Sequence, residues 1–353
     1  MERHDAHGAG RPTASRDDAA SRARSFADLV GPYQRSDDPR SAFQLIGALA
    51  GFIAFWVLAY RSLTIAYPLA LLFAVPAAGF QVRIFIIQHD CGHGSFFRSA
   101  AANRRVGRLC SAFTAIPFRY WKHFHAVHHA TSGKMEERGK TDLITLTVDE
   151  YRARSTWGRL RYRLYRNPIF LFVLAPTVHF VGLLRLPWIA PAGWTRERRS
   201  ILLTNVTLIA VVVVLARWIG LGAFVKVQLP ITMLAASIGM WLFYVQHQFD
   251  EGYWVPGRDW NFVDAALQGS SFLDLPPLLR WFTGNIGYHH VHHLSPGIPN
   301  YRLPDCHDET PELQGVPTLG LRQGLACMRL KLWDERRQRL VGFREARLTA
   351  AGG

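Results

Sequence analysis

Long apolar segments alternate with strongly basic ones along this chain of 353 residues. Four windows are nearly free of charge and approach the roughly 20 apolar residues that a helix needs to cross a bilayer core of about 30 Å. They cover residues 42–60, 63–82, 201–216 and 227–249. A short connection joins the first two windows and another joins the last two. We therefore expect an all-α integral membrane protein with four transmembrane helices in two hairpins.

A fifth apolar segment, residues 169–190, departs from this pattern. It contains Pro176, Pro187 and Arg185, which a regular transmembrane helix accommodates poorly. We expect an interfacial or membrane-embedded helix that does not cross the bilayer. Near the C-terminus, residues 321–333 are compatible both with a helix that caps an extramembrane domain and with a helix on the membrane surface.

The basic residues flank the apolar windows, and their distribution predicts the topology. The formal net charge is +15, and residues 89–200 alone carry 19 Lys and Arg against 7 Asp and Glu. The positive-inside rule then places both termini and this middle region in the cytoplasm, in the inner membrane if the cell is bacterial. Nucleic-acid binding is not expected, because the basic residues are not interleaved with the aromatic residues of a base-reading module.

The ends of the chain are expected to lie outside the folded domain. Residues 1–38 are rich in Arg, Asp, Ala and Ser, which predicts a disordered N-terminal tail. The folded domain is expected over residues 39–345, with a short C-terminal tail over residues 346–353. The four cysteines have no paired spacing and are expected on a reducing side, so we predict no disulfides.

Histidines supply the candidate chemistry, because eight of the fifteen fall in three short clusters. The segment HDCGH places two of them four residues apart, and the pattern H-x-x-H-H occurs twice. Side chains at positions i, i+3 and i+4 share one face of a helix and can converge on a metal ion. The three clusters contain His89 and His93; His125, His128 and His129; and His289, His292 and His293.

Eight neutral imidazoles suggest two metal ions, since a site of the zinc type is saturated by four ligands. Residues 62–93 are predicted to form one helix of 32 residues. At about 1.5 Å per residue it is about 48 Å long, so it carries His89 and His93 beyond the bilayer core into a helical cytosolic cap. His247 leaves the fourth window on the same side and is a ninth candidate ligand.

Metal-bound imidazoles commonly donate their second N–H to a carboxylate or carbonyl. Candidates for that role are Asp90, Asp142, Asp250, Asp274 and Asn285.

The histidine clusters, in this order and with these apolar windows between them, resemble the membrane fatty acid desaturases. The resemblance covers roughly residues 43–333 and is closest to the bacterial acyl-lipid type related to delta-12 (omega-6) enzymes. The segments that carry it are QHDCGHGSFF, HAVHHATSG, QHQFDEGYW and NIGYHHVHHLSPGIPNYRLP.

This resemblance implies an oxidoreductase with two non-haem iron ions as cofactors and O2 as co-substrate. Such an enzyme removes two hydrogens from an acyl chain of a membrane lipid and leaves a cis double bond. The eight clustered histidines correspond to the iron ligands of the family, and His247 corresponds to a further histidine of some relatives. The chain has no H-P-G-G segment of a fused cytochrome b5 domain. Electrons are therefore expected from a separate ferredoxin-like or cytochrome b5-like carrier.

Two alternatives stay open at this stage. A lipid or carotenoid hydroxylase or ketolase of the same superfamily shares the initial hydrogen abstraction and differs only in the fate of the resulting carbon centre. A histidine-lined metal transporter would need ionisable residues inside the spans, and the four windows are nearly free of them. The double-bond position, the chain length and the acyl carrier are not encoded in any pattern that we identify.

Overall fold

The computed structural model describes residues 16–348, and most of them are helical. The α-helices in chain order are α1 (Arg16–Val30), α2 (Asp38–Ser62), α3 (Tyr67–His93), α4 (Ala100–Thr114), α5 (Phe118–Thr131), α6 (Val148–Ala153), α7 (Thr156–Tyr165), α8 (Ala175–Val181), α9 (Thr195–Ile219), α10 (Leu221–His247), α11 (Phe262–Gln268), α12 (Pro277–Phe282), α13 (His289–Leu294), α14 (Leu303–Glu309), α15 (Leu321–Cys327) and α16 (Glu345–Leu348).

The helices α2, α3, α9 and α10 are long and apolar enough to span a membrane, which confirms the four predicted spans and their pairing in two hairpins. One boundary differs from the prediction of a single helix over residues 62–93. Helix α3 begins only at Tyr67, with Pro68 in its first turn, and has 27 residues. Proline is well tolerated there because the first-turn N–H groups have no partner within the helix. The length is still about 40 Å, which exceeds the bilayer core.

Helices α3 and α10 form the centre of the membrane domain, and each packs against the other as well as against its hairpin partner. The C-terminal half of α3 is buried almost without interruption from Gln81 to Gly92. By contrast, the outer helices expose apolar side chains, such as Phe43 of α2 at 79% and Val206 of α9 at 65%. Such extensive apolar exposure is what lipid contact requires of a membrane protein.

The fifth apolar segment does not form a regular span. It consists of a π-helical turn (Phe170–Leu174), α8 and a 3-10 turn ending at Arg185, and it bends by 55° relative to α7. Its 16 residues reach at most about 24 Å as a helix, which is less than the bilayer core. Phe172 packs on Tyr244, near the histidine-bearing end of α10. Arg185 donates to the carbonyl of Ala115.

Ile116, the residue after Ala115, accepts a hydrogen bond from Gln88 near the end of α3. One end of the segment thus lies near the histidine-bearing end of α10, and the other lies near that of α3. These contacts agree with the predicted non-crossing element, which stays a prediction: by length and composition, α7 and this segment together could also form one bent span.

The remaining elements form a cap over the histidine-bearing ends of α3 and α10. It is mainly helical but also contains two small sheets, which the all-α prediction did not include. β1 (Phe272–Asp274) pairs in parallel with β2 (Thr318–Gly320), and β3 (Leu332–Asp334) pairs antiparallel with β4 (Arg339–Val341). The predicted C-terminal helix is shorter than residues 321–333: it ends at Cys327, and its Gly324 packs against Trp241 of α10. It therefore caps the domain.

The N-terminal segment differs from the tail predicted over residues 1–38. Its described part contains α1, whose Phe26 and Val30 are buried in a core cluster with α11 and α13. Arg22 also pairs with Asp264 at 2.6 Å. The composition suggested disorder because this segment has few apolar residues, but those few are placed to pack on the cap. Of the predicted C-terminal tail, Ala346 is likewise buried. Residues 1–15 and 349–353 lie outside the described part.

Candidate metal centre

The nine histidines proposed as ligands come from four helices that are distant in sequence. His89 and His93 lie within the last five residues of α3, which ends there because Gly94 adopts the left-handed conformation at φ +82°. His247 is the last residue of α10. Helix α5 and helix α13 contribute three histidines each. The structure brings all nine side chains together at the boundary between the membrane helices and the cap.

Eight of the nine histidines form two groups of four, and each group is compact enough to hold a metal ion. Within a group the candidate ligand nitrogens all lie within 4.8 Å of one another. Each group draws on three helices, so no single helix could form either site alone. The first group is His89, His93, His125 and His292, and the second is His128, His247, His289 and His293.

The ninth histidine, His129, lies between the two groups. Its Nε2 is 3.0 Å from Nε2 of His125 and 3.0 Å from Nε2 of His292, both in the first group. Its ring also stacks on His293 of the second group, with ring centroids 4.2 Å apart. His129 is therefore placed to contribute a ligand to either group. The sequence did not distinguish it from the other histidines of its cluster.

The spacing of the nitrogens fits a metal ion. Nε2 of His125 is 3.1 Å from Nε2 of His89, and Nε2 of His247 is 3.0 Å from Nε2 of His289. Neighbouring nitrogens bound at about 2.0–2.1 Å to one metal ion are separated by about 2.8–3.0 Å in octahedral and about 3.3–3.4 Å in tetrahedral geometry. In addition, the buried Nε2 atoms of His93 and His293 have no hydrogen-bond partner in the described chain. His93 and His293 belong to different groups, so one cation in each group would satisfy both atoms.

Three of the imidazoles contact a polar group through Nδ1, the ring nitrogen that faces away from the centre. Nδ1 of His89 is 3.0 Å from the carboxylate of Asp90, and Nδ1 of His128 is 2.7 Å from that of Asp142. Nδ1 of His247 is 3.0 Å from the carbonyl oxygen of Gly269. The hydrogen-bond partners of His89 and His247 fix the tautomer and leave Nε2 as the ligand atom, whereas Asp142 lies at ion-pair distance from His128.

Of the five predicted supporting residues, the structure places only Asp90 and Asp142 against the histidines. Asp250 lies 3.8 Å from Arg339, and Asp274 pairs with Arg280.

Asn300 is a support that the sequence reasoning missed. Its backbone N–H and its side-chain amide both donate to Asp90 at 2.8 Å, and this residue pair is buried. The predicted Asn285 contributes only indirectly, by donating to the carbonyl of Asn300. Asn300 lies in the segment SPGIPNY, shortly after the third histidine cluster. Nothing in that segment indicates that Asn300 would contact Asp90.

Burial keeps these imidazoles neutral. The pKa values of His125, His129, His289, His292 and His293 are lowered well below the ordinary histidine range, first by burial and then by the neighbouring histidines. Burial alone would raise the pKa of Asp142, but the adjacent His128 and His247 lower it overall. Neutral imidazoles beside an ionised carboxylate form the donor set that a divalent cation requires.

The histidines outside the clusters lie elsewhere. His123, although it is in α5, stacks on Trp194 with ring centroids 3.7 Å apart. His290 points away from the other histidines of α13, and its Nε2 is 3.0 Å from Nδ1 of His307. His179 packs beside Phe180 in α8. None of the four belongs to either group.

Two aromatic side chains touch the centre directly. Trp121 stacks on His125 with ring centroids 4.5 Å apart, and Phe243 lies 5.2 Å from His128. They form part of the apolar surroundings of the histidines on the side of the membrane helices.

Four candidate membrane helices, two of which end in histidines, and two adjacent histidine groups define a helical membrane protein with a centre able to bind metal. Comparison with known proteins identifies the family. The family model for fatty acid desaturases matches residues 62–319, which includes all nine histidines. The chain belongs to the fatty acid desaturase family, which makes it an oxidoreductase acting on fatty acids.

Its relatives include both general and specific members of that family. It is 42% identical to a fatty acid desaturase of Bacillus subtilis (strain 168) over 325 residues, which is 92% of each chain. It is 30% identical to the sn-1 oleoyl-lipid 12-desaturase of Synechocystis over 65% of each chain. It is 27% identical to an sn-1 acyl-lipid omega-3 desaturase (ferredoxin) of Synechocystis, over 73% of this chain and 70% of that protein. The predicted resemblance to desaturases is thus confirmed.

Proposed function

We propose that this protein is an acyl-lipid desaturase that forms a cis double bond in an acyl chain of a membrane lipid, of the delta-12 (omega-6) type. The observation that carries the proposal is the pair of four-histidine groups, since two adjacent sites suit a two-metal oxidation centre. An all-imidazole donor set suits iron, zinc, copper or nickel. We propose iron, as the resemblance to membrane desaturases implies, and two bound iron ions would supply the activation of O2 for attack on an unactivated C–H bond.

The overall reaction balances with an external electron source. A –CH2–CH2– unit, O2, two electrons and two protons give –CH=CH– and two water molecules. The nine histidines would hold the two ions, and Asp90, Asp142 and the carbonyl of Gly269 would orient three of the imidazoles. Trp121 and Phe243 would exclude water beside the reacting carbons. Exclusion of water from such a centre limits side reactions.

The same proposal includes the topology and the electron donor. Both termini and the metal centre would lie on the cytoplasmic side of a bacterial inner membrane, as the distribution of basic residues indicates. Electrons would come from a separate ferredoxin-like or cytochrome b5-like protein. A cyanobacterial relative is an omega-3 desaturase whose name specifies ferredoxin. The exposed Arg104, Arg105 and Arg108 of α4 would suit an acidic donor, because complementary charge accelerates association.

The test is expression in a host rich in monounsaturated lipids, with mass spectrometry of the acyl chains and measurement of iron per chain. The wild type should yield a diunsaturated chain and two irons. His128→Ala and His292→Ala should each abolish the product and lower the bound iron. His123→Ala, a control on the same helix as His128, and His179→Ala should leave both nearly intact. A product that gains oxygen would instead indicate a hydroxylase, and full activity of His292→Ala would refute the site.

A further inference from the structure

Helix α7 has features that the proposed reaction does not use. It exposes three large apolar side chains on one face: Trp157 at 64%, Leu160 at 43% and Leu164 at 55%. These positions are three and four residues apart, so they form a continuous stripe. Helices of a water-soluble surface seldom expose such a stripe, whereas helices that lie in the membrane interface do so regularly.

The position of α7 in the fold agrees with an interfacial location. Its C-terminal end leads directly into the bent apolar segment Phe170–Arg185, with a 55° change of direction. Phe172 of that segment contacts Tyr244, which is less than one turn from the end of α10. Helix α7 therefore lies at the level where the membrane helices end, and its apolar stripe continues into Ile169 and Phe170, which are exposed at 68% and 41%.

A small pocket opens beside the apolar stripe. Its volume is about 300 Å³, and it is lined by Ile144, Arg154, Gly158, Arg161, Tyr162 and Tyr165. Both arginines are exposed, and within residues 16–348 neither forms an ion pair with a carboxylate. Arg154 lies in the extended segment just before α7 and Arg161 lies within α7, and both line the same pocket. Two exposed guanidinium groups that line one pocket suit a phosphate, since arginine matches phosphate oxygens by paired hydrogen bonds.

We infer that α7 binds the phosphate headgroup of an anionic phospholipid of the surrounding membrane, with Arg154 and Arg161 on the phosphate and with Trp157, Leu160 and Leu164 among the acyl chains. The combination selects a lipid as the ligand. A free phosphate would not account for the apolar stripe, and an acidic protein would not account for its continuity with a membrane-embedded segment. Basic pockets next to membrane helices are known to recognise anionic headgroups. The inference does not depend on the metal centre or on the proposed reaction.

The test is titration of the full-length, iron-loaded protein in detergent micelles with phosphatidylglycerol or phosphatidylcholine, with bound lipid counted by native mass spectrometry. Wild-type protein should bind phosphatidylglycerol more tightly. Each basic residue near an anionic membrane surface contributes about fivefold to affinity, so Arg154→Gln/Arg161→Gln should weaken phosphatidylglycerol binding about 30-fold and leave phosphatidylcholine binding unchanged. Trp157→Gln should weaken the binding of both lipids.

The matched control is Arg336→Gln/Arg344→Gln, which removes the same charge from two exposed arginines outside the pocket. It should retain wild-type lipid binding. Equal loss in the control, or unchanged affinity in the variant Arg154→Gln/Arg161→Gln, would overturn the inference. Displacement of phosphatidylglycerol by millimolar inorganic phosphate alone would also overturn it, by showing a site for the free anion. Iron content should be the same in all variants, which separates this test from that of the proposed function.

Discussion

The contact between Asp142 and His128 allows a test of each metal site separately. The carboxylate lies 2.7 Å from Nδ1 of His128, and the two side chains are only 9% and 2% exposed. Asp142→Asn keeps the shape and an acceptor oxygen but removes the charge, whereas Asp142→Leu removes both. Loss of such a support commonly weakens metal binding by 10- to 100-fold, which is about 1.4–2.8 kcal/mol. We expect the lower value for Asp142→Asn and the upper value for Asp142→Leu.

The effect should be confined to one of the two ions, since His128 belongs to only one histidine group. At a ferrous-chelator concentration that leaves wild-type protein with two irons per chain, Asp142→Leu should retain one. Asp90→Leu should show the reciprocal pattern, because Asp90 contacts His89 of the other group. Iron per chain is measured by plasma mass spectrometry after gel filtration.

The control is Asp149→Asn, which removes a carboxylate that is 64% exposed and lies 3.6 Å from Arg152. An exposed ion pair contributes little, so the control should keep both ions. Simultaneous loss of both ions from Asp142→Leu would refute the assignment of His128 to one of two separate sites. Equal retention in Asp142→Leu and Asp149→Asn would refute the supporting role of Asp142.

Two further predictions concern the cap. Gly287→Ala should destabilise the protein by about 1–3 kcal/mol and lower bound iron, since the added methyl group would overlap the carbonyl of Leu273 next to the start of α13. The control is Gly315→Ala, whose added methyl group would have no neighbouring atom within 4 Å. Equal unfolding temperatures of the two variants would contradict this packing. Lys331→Met should stabilise the protein by about 1–3 kcal/mol at pH 7, because the Lys331 amine is buried without a partner in the described chain. Burial lowers the pKa of Lys331 from 10.5 to about 8. Between these values the unfolded chain binds more protons, so wild-type stability rises with pH. The advantage of Lys331→Met should therefore be full below about pH 8 and shrink as the pH rises towards 10.5; an advantage independent of pH would contradict the buried charge.

The sequence by itself determined the elements whose signal is local. Apolar windows of sufficient length defined the four spans, because a helix that crosses lipid must satisfy its backbone internally and present apolar side chains throughout. Helical spacing likewise placed His125, His128 and His129 on one face. Proline and charge in the fifth segment predicted that it would not form a regular, straight span. These inferences needed no knowledge of which helices are neighbours.

Only the tertiary structure decided how the histidines divide between two sites. His292 groups with His89, whereas His293, the next residue, groups with His247. This division depends on how α13 packs over the ends of α3 and α10, and the sequence spacing is the same for either arrangement. The contact of Asn300 with Asp90 joins residues 210 positions apart. Docking of α1 on the cap depends on Phe26 and Val30 finding a complementary surface, which composition does not encode. Packing between distant segments is set by shape and burial, so it is absent from any local pattern.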